Sequence, residues 1–355
     1  MRKKAAVLGV FSLFFLLASS AYGVRLEVPR EYQTIQDAIN AAKDGDTIIV
    51  SRGTYSEAVV DKAVTLRARG NVIINAGPPF RDNSPLRAGF LFPDDYSGSG
   101  ARIIGFRFIG RPQFGDPDDE MPDLPIYSRG ANNVTVKHNI MINSLQAVTN
   151  WNGSGWKIKH NVILNLWTRN GGGIGILSGG FDGGSYGRNV ITGNKVLGAL
   201  KVYSEDGGGY DGTGIVLYAD FRWGRGGALE IMRNRIHDNE ISLVSDTPEV
   251  VDVNGIELMD TRDIPSPPVI FENHIRDNEI DGKSRYGIFV TRAPNNVFAE
   301  NDIEDSTESD VFDDTTGDRT AGTANIWDDN DCSSSSPTGI CEDDHDGDDD
   351  QDDDD

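Results

Sequence analysis

Three short stretches decide the fold: VKHNIM at 136–141, IKHNVI at 158–163 and ITGNKV at 191–196. Each reads apolar, two residues of any kind, Asn, one of any kind, apolar. The pattern returns as IMRNRI at 231–236, IFENHI at 270–275 and FAENDI at 298–303, and IIGFRF at 103–108 carries Phe106 in the Asn slot. Two residues past the second apolar position stands Gly110, Asn143, Asn165, Gly198, Asp238, Asp277 or Asp305. Successive anchors Phe106, Asn139, Asn161, Asn194, Asn234, Asn273 and Asn301 lie 22 to 40 residues apart. Between them a second unit recurs, GIGI at 173–176, GIVL at 214–217, GIEL at 255–258 and GIFV at 287–290. Self-similarity at such intervals is the signature of a stacked-repeat architecture.

Strands of three to five residues cannot bury a core within one repeat. Stacking equivalent strands about 4.8 Å apart lines up like side chains and buries a continuous apolar column. Asn suits the corner between two such strands, because it tolerates left-handed backbone and its amide can bond the same amide one layer away. Phe106 would begin that column as a stacked aromatic. Helical periodicity does not recur after residue 50, so helices outside the sheet are not expected. The fold class expected is all-β, a right-handed parallel β-helix.

The ends differ in composition from the repeats. Arg2, Lys3 and Lys4 precede an apolar run from Ala5 to Ala18 and small residues to Gly23, so residues 1–23 read as a signal peptide and the mature chain as exported to the periplasm, cell surface or medium. No second apolar run of membrane-spanning length follows, so no transmembrane segment is expected. In the next segment Thr34 and Asp37 make a capping box, and Ile35, Ala38, Ile39 and Ala42 repeat at helical spacing before Gly45, which predicts one helix capping the solenoid. Residues 24–305 are read as the β-helix domain. Residues 306–355 are read as a disordered acidic low-complexity tail, since the last 28 residues hold 14 acids and no Lys or Arg. Within it Cys332 and Cys341, nine apart in an exported chain, are expected to form a disulfide. The DHDGDDD stretch at 344–350 lacks the spaced Glu of a calcium loop and reads as solvating.

Lys and Arg total 33 against 56 Asp and Glu, a net charge of −23, which argues against sequence-independent binding to nucleic acid. A monomer is expected.

The repeats, the opening TIQDAINAA and the GDTIIVSRGTY that follows resemble the parallel β-helix proteins of the pectin lyase-like superfamily over roughly residues 26–305. That resemblance implies an exported protein acting on or binding polysaccharide; it does not select a reaction. The Asn-Thr-Asp, Gly-His-Gly and Arg-Ile-Lys set of polygalacturonases, the Asp-Pro-His-Asp of alginate epimerases and the Arg-x-Pro-x-x-Arg of pectate lyases are absent.

Insertions in a solenoid gather on one face, often the working one. Loops 178–189, 218–227 and 259–268, with Arg292 beyond them, are expected to stack. They hold Tyr186, Arg188, Trp223 and Arg292 as candidate substrate contacts, Arg222, Arg225 and Arg262 as candidate bases or carboxylate clamps, and Asp220 and Asp260 as candidate Ca2+ ligands. Aromatic faces stack on sugars, Arg forks pair with uronates, and paired Asp can hold Ca2+. The function expected is binding of an acidic polysaccharide or cell-envelope glycan, with Ca2+-assisted β-elimination if the protein is catalytic. The alternative is a non-catalytic surface or matrix adhesion protein. His138 and His160, in one slot of adjacent copies, are expected to form an outward ladder rather than a metal site.

Overall fold

Asn139, Asn161 and Asn194 stand one above another inside a stack of parallel strands. In the computed structural model, which describes residues 23–75, 77, 86–110, 121–168, 172–202, 212–222, 228–246, 252–262, 267 and 269–341, Asn139 Nδ2 donates to Asn161 Oδ1 at 3.0 Å and Asn161 to Asn194 at 2.9 Å. The ladder continues through Asn239, Asn278, Asn301 and Asn330 at 2.8–3.0 Å. Phe106 does begin this column: its N–H donates to Asn139 Oδ1 at 2.9 Å, while its ring packs edge-on against Phe90.

Asn234 and Asn273, expected in this ladder, belong to a second one. Asn189 donates its backbone N–H to Asn234 Oδ1 at 3.1 Å, and side-chain amides then link Asn234, Asn273, Asn296 and Asn325. The reason is in IMRNRIHDNEI at 231–241, which satisfies the same pattern at Ile231–Ile236 and again at Ile236–Ile241. Each coil there carries two Asn layers. The left-handed corner is also displaced from the expectation: it is the residue before the Asn that turns, with φ of 51–62° at His138, His160, Gly193, Asp238, Asp277 and Glu300. The His138 and His160 rings consequently stack outside the corner, centroids 5.4 Å apart.

Three apolar columns fill the interior. The strands before the first ladder contribute Leu66, Ile103, Val136, Ile158, Ile191, Ile236, Ile275, Phe298 and Trp327 in register. Those after it contribute Phe108, Met141, Ile163, Val196, Ile241, Ile280, Ile303 and Cys332. A third, ten-stranded parallel sheet supplies Phe90, Ile126, Val148, Ile176, Ile215, Ile256, Ile288 and Val311. All are buried in one continuous cluster. The Gly-Ile unit aligns as Gly175-Ile176 with Gly214-Ile215, Gly255-Ile256 and Gly287-Ile288, two residues later in its first copy than the sequence pattern suggests. A Cβ on any of these glycines would meet the Val or Ile methyl of the second column at 2.1–2.8 Å, so Gly is what lets the two columns close on each other.

The helix Ile35–Ala41 covers the first coil with Ile35, Ala38 and Ile39. Thr34 caps it by accepting the Asp37 N–H at 3.0 Å, and Lys62 Nζ donates to the carbonyls of Ile39, Asn40 and Ala42 at its other end.

At the far end the domain boundary at 305 is corrected. Strands Ser309–Asp313, Ile326–Asp328, Asp331–Cys332 and Ser335–Ser336 continue the columns, and Cys332 bonds Cys341. Buried Asp310 ties this last turn down, accepting the N–H and hydroxyl groups of both Ser333 and Ser334 at 2.8–3.0 Å. Residues 1–22 and 342–355, on which the signal-peptide and acidic-run readings fall, lie outside the described residues.

The outer row of the second column changes sign along the axis: Arg107, Ile140, Val162, Lys195, Glu240, Glu279, Asp302, Asp331. Like-charge crowding at its acidic end raises the pKa of Glu304, chiefly through Asp302.

Candidate glycan-binding face

The outer side of the third sheet carries the aromatic groups. Register places Arg129 beside Trp151, Trp151 beside Gly179 and Gly179 beside Tyr218. Gly179 leaves room between two large side chains, and the Trp151 and Tyr218 rings meet across it with centroids 5.7 Å apart. Phe181, held by its N–H to Asn152 Oδ1 at 3.0 Å, meets Trp151 edge-on at 5.4 Å, and the Arg129 guanidinium lies 4.6 Å over the Phe181 ring. On the other flank Arg222 Nη2 donates to the Tyr218 hydroxyl at 2.5 Å. Trp151 and Tyr218 are half-buried against Ile174, Leu177 and Val216. The result is a row of aromatic surface about three coils long with a guanidinium at each side.

The sheet strands end here in a repeated turn. Asp220 Oδ1 accepts the Arg222 N–H at 2.9 Å, and Asp260 Oδ1 accepts the Arg262 N–H at 3.0 Å. Such a turn uses the carboxylate in place of a backbone acceptor. In both, the Arg side chain then folds back on the same carboxylate: Arg222 Nε and Nη2 reach Asp220 at 3.0 Å, and Arg262 Nη2 reaches Asp260 at 2.6 Å. Asp313 repeats the turn with Thr315.

The expected roles change accordingly. Asp220 and Asp260 are buried turn anchors already engaged by guanidinium groups. Among the described residues no three acidic, His or Cys side chains converge as a metal site. The donor set does not fit Ca2+, and no step is assigned to that ion. Arg222 does not suit the role of base: its hydrogen bond to Asp220 raises its pKa, whereas proton abstraction near neutrality requires a lowered one. The neighbouring Tyr218 hydroxyl is likewise pushed up, to about 12, first by burial and then by Asp220. Arg262 is only 17% exposed, lies over Phe221 at 4.9 Å and donates to the Pro267 carbonyl at 2.8 Å. Arg292 turns the chain at φ 54°, gives its N–H to Asp314 Oδ1 at 2.6 Å and its guanidinium to the Arg262 carbonyl. Tyr186 packs beneath Gly180 and Gly184 rather than presenting a face, and Arg188 is an exposed left-handed corner residue. Trp223 and Arg225 lie outside the described residues.

Of the expected set, then, Arg222 borders the aromatic row, while Arg262 joins Phe221, Leu229, Glu230, Pro267 and Phe271 around an adjoining cavity of about 450 Å³. Sequence reading missed Arg129, Trp151, Phe181 and Tyr218. A signal for Trp151 was present, since AVTNW at 147–151 aligns with ILSG at 176–179 once Val148 is matched to Ile176.

No protein-family model matches the chain. No curated protein matches it either. Among solved structures it is similar to a pectin methylesterase from Aspergillus niger, at 13% identity over 82% of this chain and 88% of that one, TM-score 0.39. It is similar to an alginate lyase from Paenibacillus, at 14% identity over 75% and 91%, TM-score 0.35. A third is the Streptococcus pneumoniae surface protein and adhesin PfbA, at 13% identity over 83% and 92%, TM-score 0.35. The chain itself is a parallel β-helix. Its own ladders and registers establish that, and within this β-helix the aromatic row occupies the outer side of the ten-stranded sheet.

Proposed function

We propose that this protein is an exported, non-catalytic glycan-binding solenoid that lays an acidic polysaccharide of the cell envelope or matrix along the third sheet. The carrying observation is the Trp151–Phe181–Tyr218 row flanked by Arg129 and Arg222. Aromatic faces receive the apolar side of sugar rings, and a guanidinium held beside them offers paired donors to a uronate carboxylate. Arg222 is 59% exposed, and its Nη1 has no partner among the described residues, so it keeps donors for a ligand. The chemistry at the row favours binding over cleavage, because the groups whose acidity is shifted there, Arg222 and Tyr218, are shifted away from the range of a general base. Among the described residues no helix is long and apolar enough to cross a membrane.

The test is titration of the protein with a panel of uronate polymers, read by tryptophan fluorescence, while ultraviolet absorbance follows any unsaturated product. Binding without product, weakened at least tenfold by Trp151→Ala, is the expected result. Product formation would reject the non-catalytic reading in favour of elimination. Binding unaffected by Trp151→Ala would reject the row.

A further inference from the structure

A second face of the solenoid carries charge of the opposite sign to the protein as a whole. On the strands before the first ladder, side chains alternate between core and solvent, and the solvent positions form two adjacent rows. One runs Arg102, Thr135, Lys157 and the other Arg67, Ile104, Lys137, Lys159, of which Ile104 is buried. Each of four consecutive coils therefore contributes at least one cation, and the fourth contributes two. Arg67, Arg102 and Lys157 are exposed, and Lys137 and Lys159 are half-exposed. None of the five has an ion-pair partner among the described residues. Farther along the same edge the pattern differs: Arg233 meets Glu272, His237 meets Asp238 and Arg276 meets Asp277. Among the described residues, neutralisation is thus confined to the C-terminal half of the face, and the N-terminal half has no ion pair within a chain of net −23.

We propose that this stripe is a second binding site, for a linear polyanionic glycan bearing one carboxylate or sulfate per sugar residue and running parallel to the solenoid axis. The coil spacing of about 4.8 Å repeats the cations at roughly the length of one extended sugar residue, so charge can meet charge over four successive coils. A sheet face is flat, and it holds these cations in fixed register as a loop would not. Its ligand is held by salt-sensitive charge contacts, because this stretch offers no Phe, Tyr or Trp side chain among the described residues and its nearest rings, His138 and His160, stack on each other. The inference does not depend on the aromatic row of the third sheet.

The experiment uses the full mature chain carrying Trp151→Ala, so that binding at the row is already weakened, and measures affinity for a polyuronate, a neutral glucan and anionic phospholipid vesicles at several salt concentrations. The expected result is polyuronate binding that falls with salt. It should drop about tenfold in the Lys137→Gln, Lys157→Gln, Lys159→Gln triple variant, with a shallower salt slope and an unchanged melting temperature. The corresponding three Lys→Arg replacements should restore it. Unchanged polyuronate affinity in the Gln variant overturns the proposal. So does equal affinity for the neutral glucan, or binding to vesicles that polyuronate does not displace, which would mark the stripe as a membrane-facing surface. Failure of Trp151→Ala to weaken the parent's binding, by contrast, bears on the row alone.

Discussion

One oxygen of Asn239, Oδ1, receives both the backbone N–H and the side-chain amide of Asn194, each at 3.0 Å. Asn239 in turn gives its own amide to Asn278 Oδ1 at 2.9 Å and to the Ile191 carbonyl at 3.0 Å. Every rung is buried, so each amide has no water to fall back on.

Asn239→Leu is therefore expected to cost about 1–3 kcal/mol, because it leaves the buried Asn194 N–H without its acceptor and takes from the Asn194 side-chain amide one of its three, the Ile158 and Thr192 carbonyls remaining. Chemical denaturation measures it. A change below about 0.5 kcal/mol, the range of neutral surface substitutions, would mean the ladder is incidental to stability.

Truncation separates the last coils from the acidic run that follows them. Ending the chain after residue 341 should leave the melting temperature unchanged. Ending it after residue 319 should lower it markedly, since that removes Trp327, whose ring stacks on Phe298 at 3.9 Å, and Asn330, which accepts from Asn301 at 2.8 Å. Loss of a buried Trp contact alone is worth about 3–5 kcal/mol. Equal melting temperatures for the two truncations would show that residues 320–341 do not hold the end closed.

Reduction of Cys332–Cys341 is expected to destabilise the C-terminal coil by about 2–3 kcal/mol, the range for closing a loop of this size. Cys332 occupies the interior column directly after Ile303, so loosening should begin there. Hydrogen exchange with and without reductant locates it; exchange that speeds up elsewhere and not at 326–336 would contradict this assignment.

Asp310 gives the same coil a pH dependence. Burial acts to raise its pKa, but the hydroxyl and N–H of Ser333 and the hydroxyl of Ser334 outweigh that and hold it below its ordinary value of 3.8. A carboxylate with a depressed folded pKa contributes stability that is complete above the unfolded value and lost as pH falls through the folded one. The Ser333 and Ser334 amides should accordingly lose exchange protection as pH drops below about 3.8, and Asp310→Asn should remove that dependence. Protection that persists unchanged through acid would rule out this anchor.

Legibility of the sequence followed periodicity. The interior columns and the Ile35–Ala41 helix could be read because each depends on a local apolar spacing that only one element type satisfies. The ladder register could not, since the pattern overlaps itself in 231–241 and stacking alone selects which Asn meets Asn194. The end of the domain was hidden by averaging: 306–355 is acidic as a whole, yet Asn325, Trp327, Asn330 and Cys332 repeat the same spacing inside it. The aromatic row was missed because Arg129, Trp151, Phe181 and Tyr218 come from four coils, and only the register of the third sheet brings them together.

The sign reversal along the second column, from Arg107 to Asp331, separates opposite charges by seven coil steps, roughly 34 Å. A rod so charged has a permanent electric dipole moment along its length, with the helix-capped end positive. It should turn in a field and approach a negatively charged wall with the helix end leading, a preference that electric birefringence would register and that salt would erase.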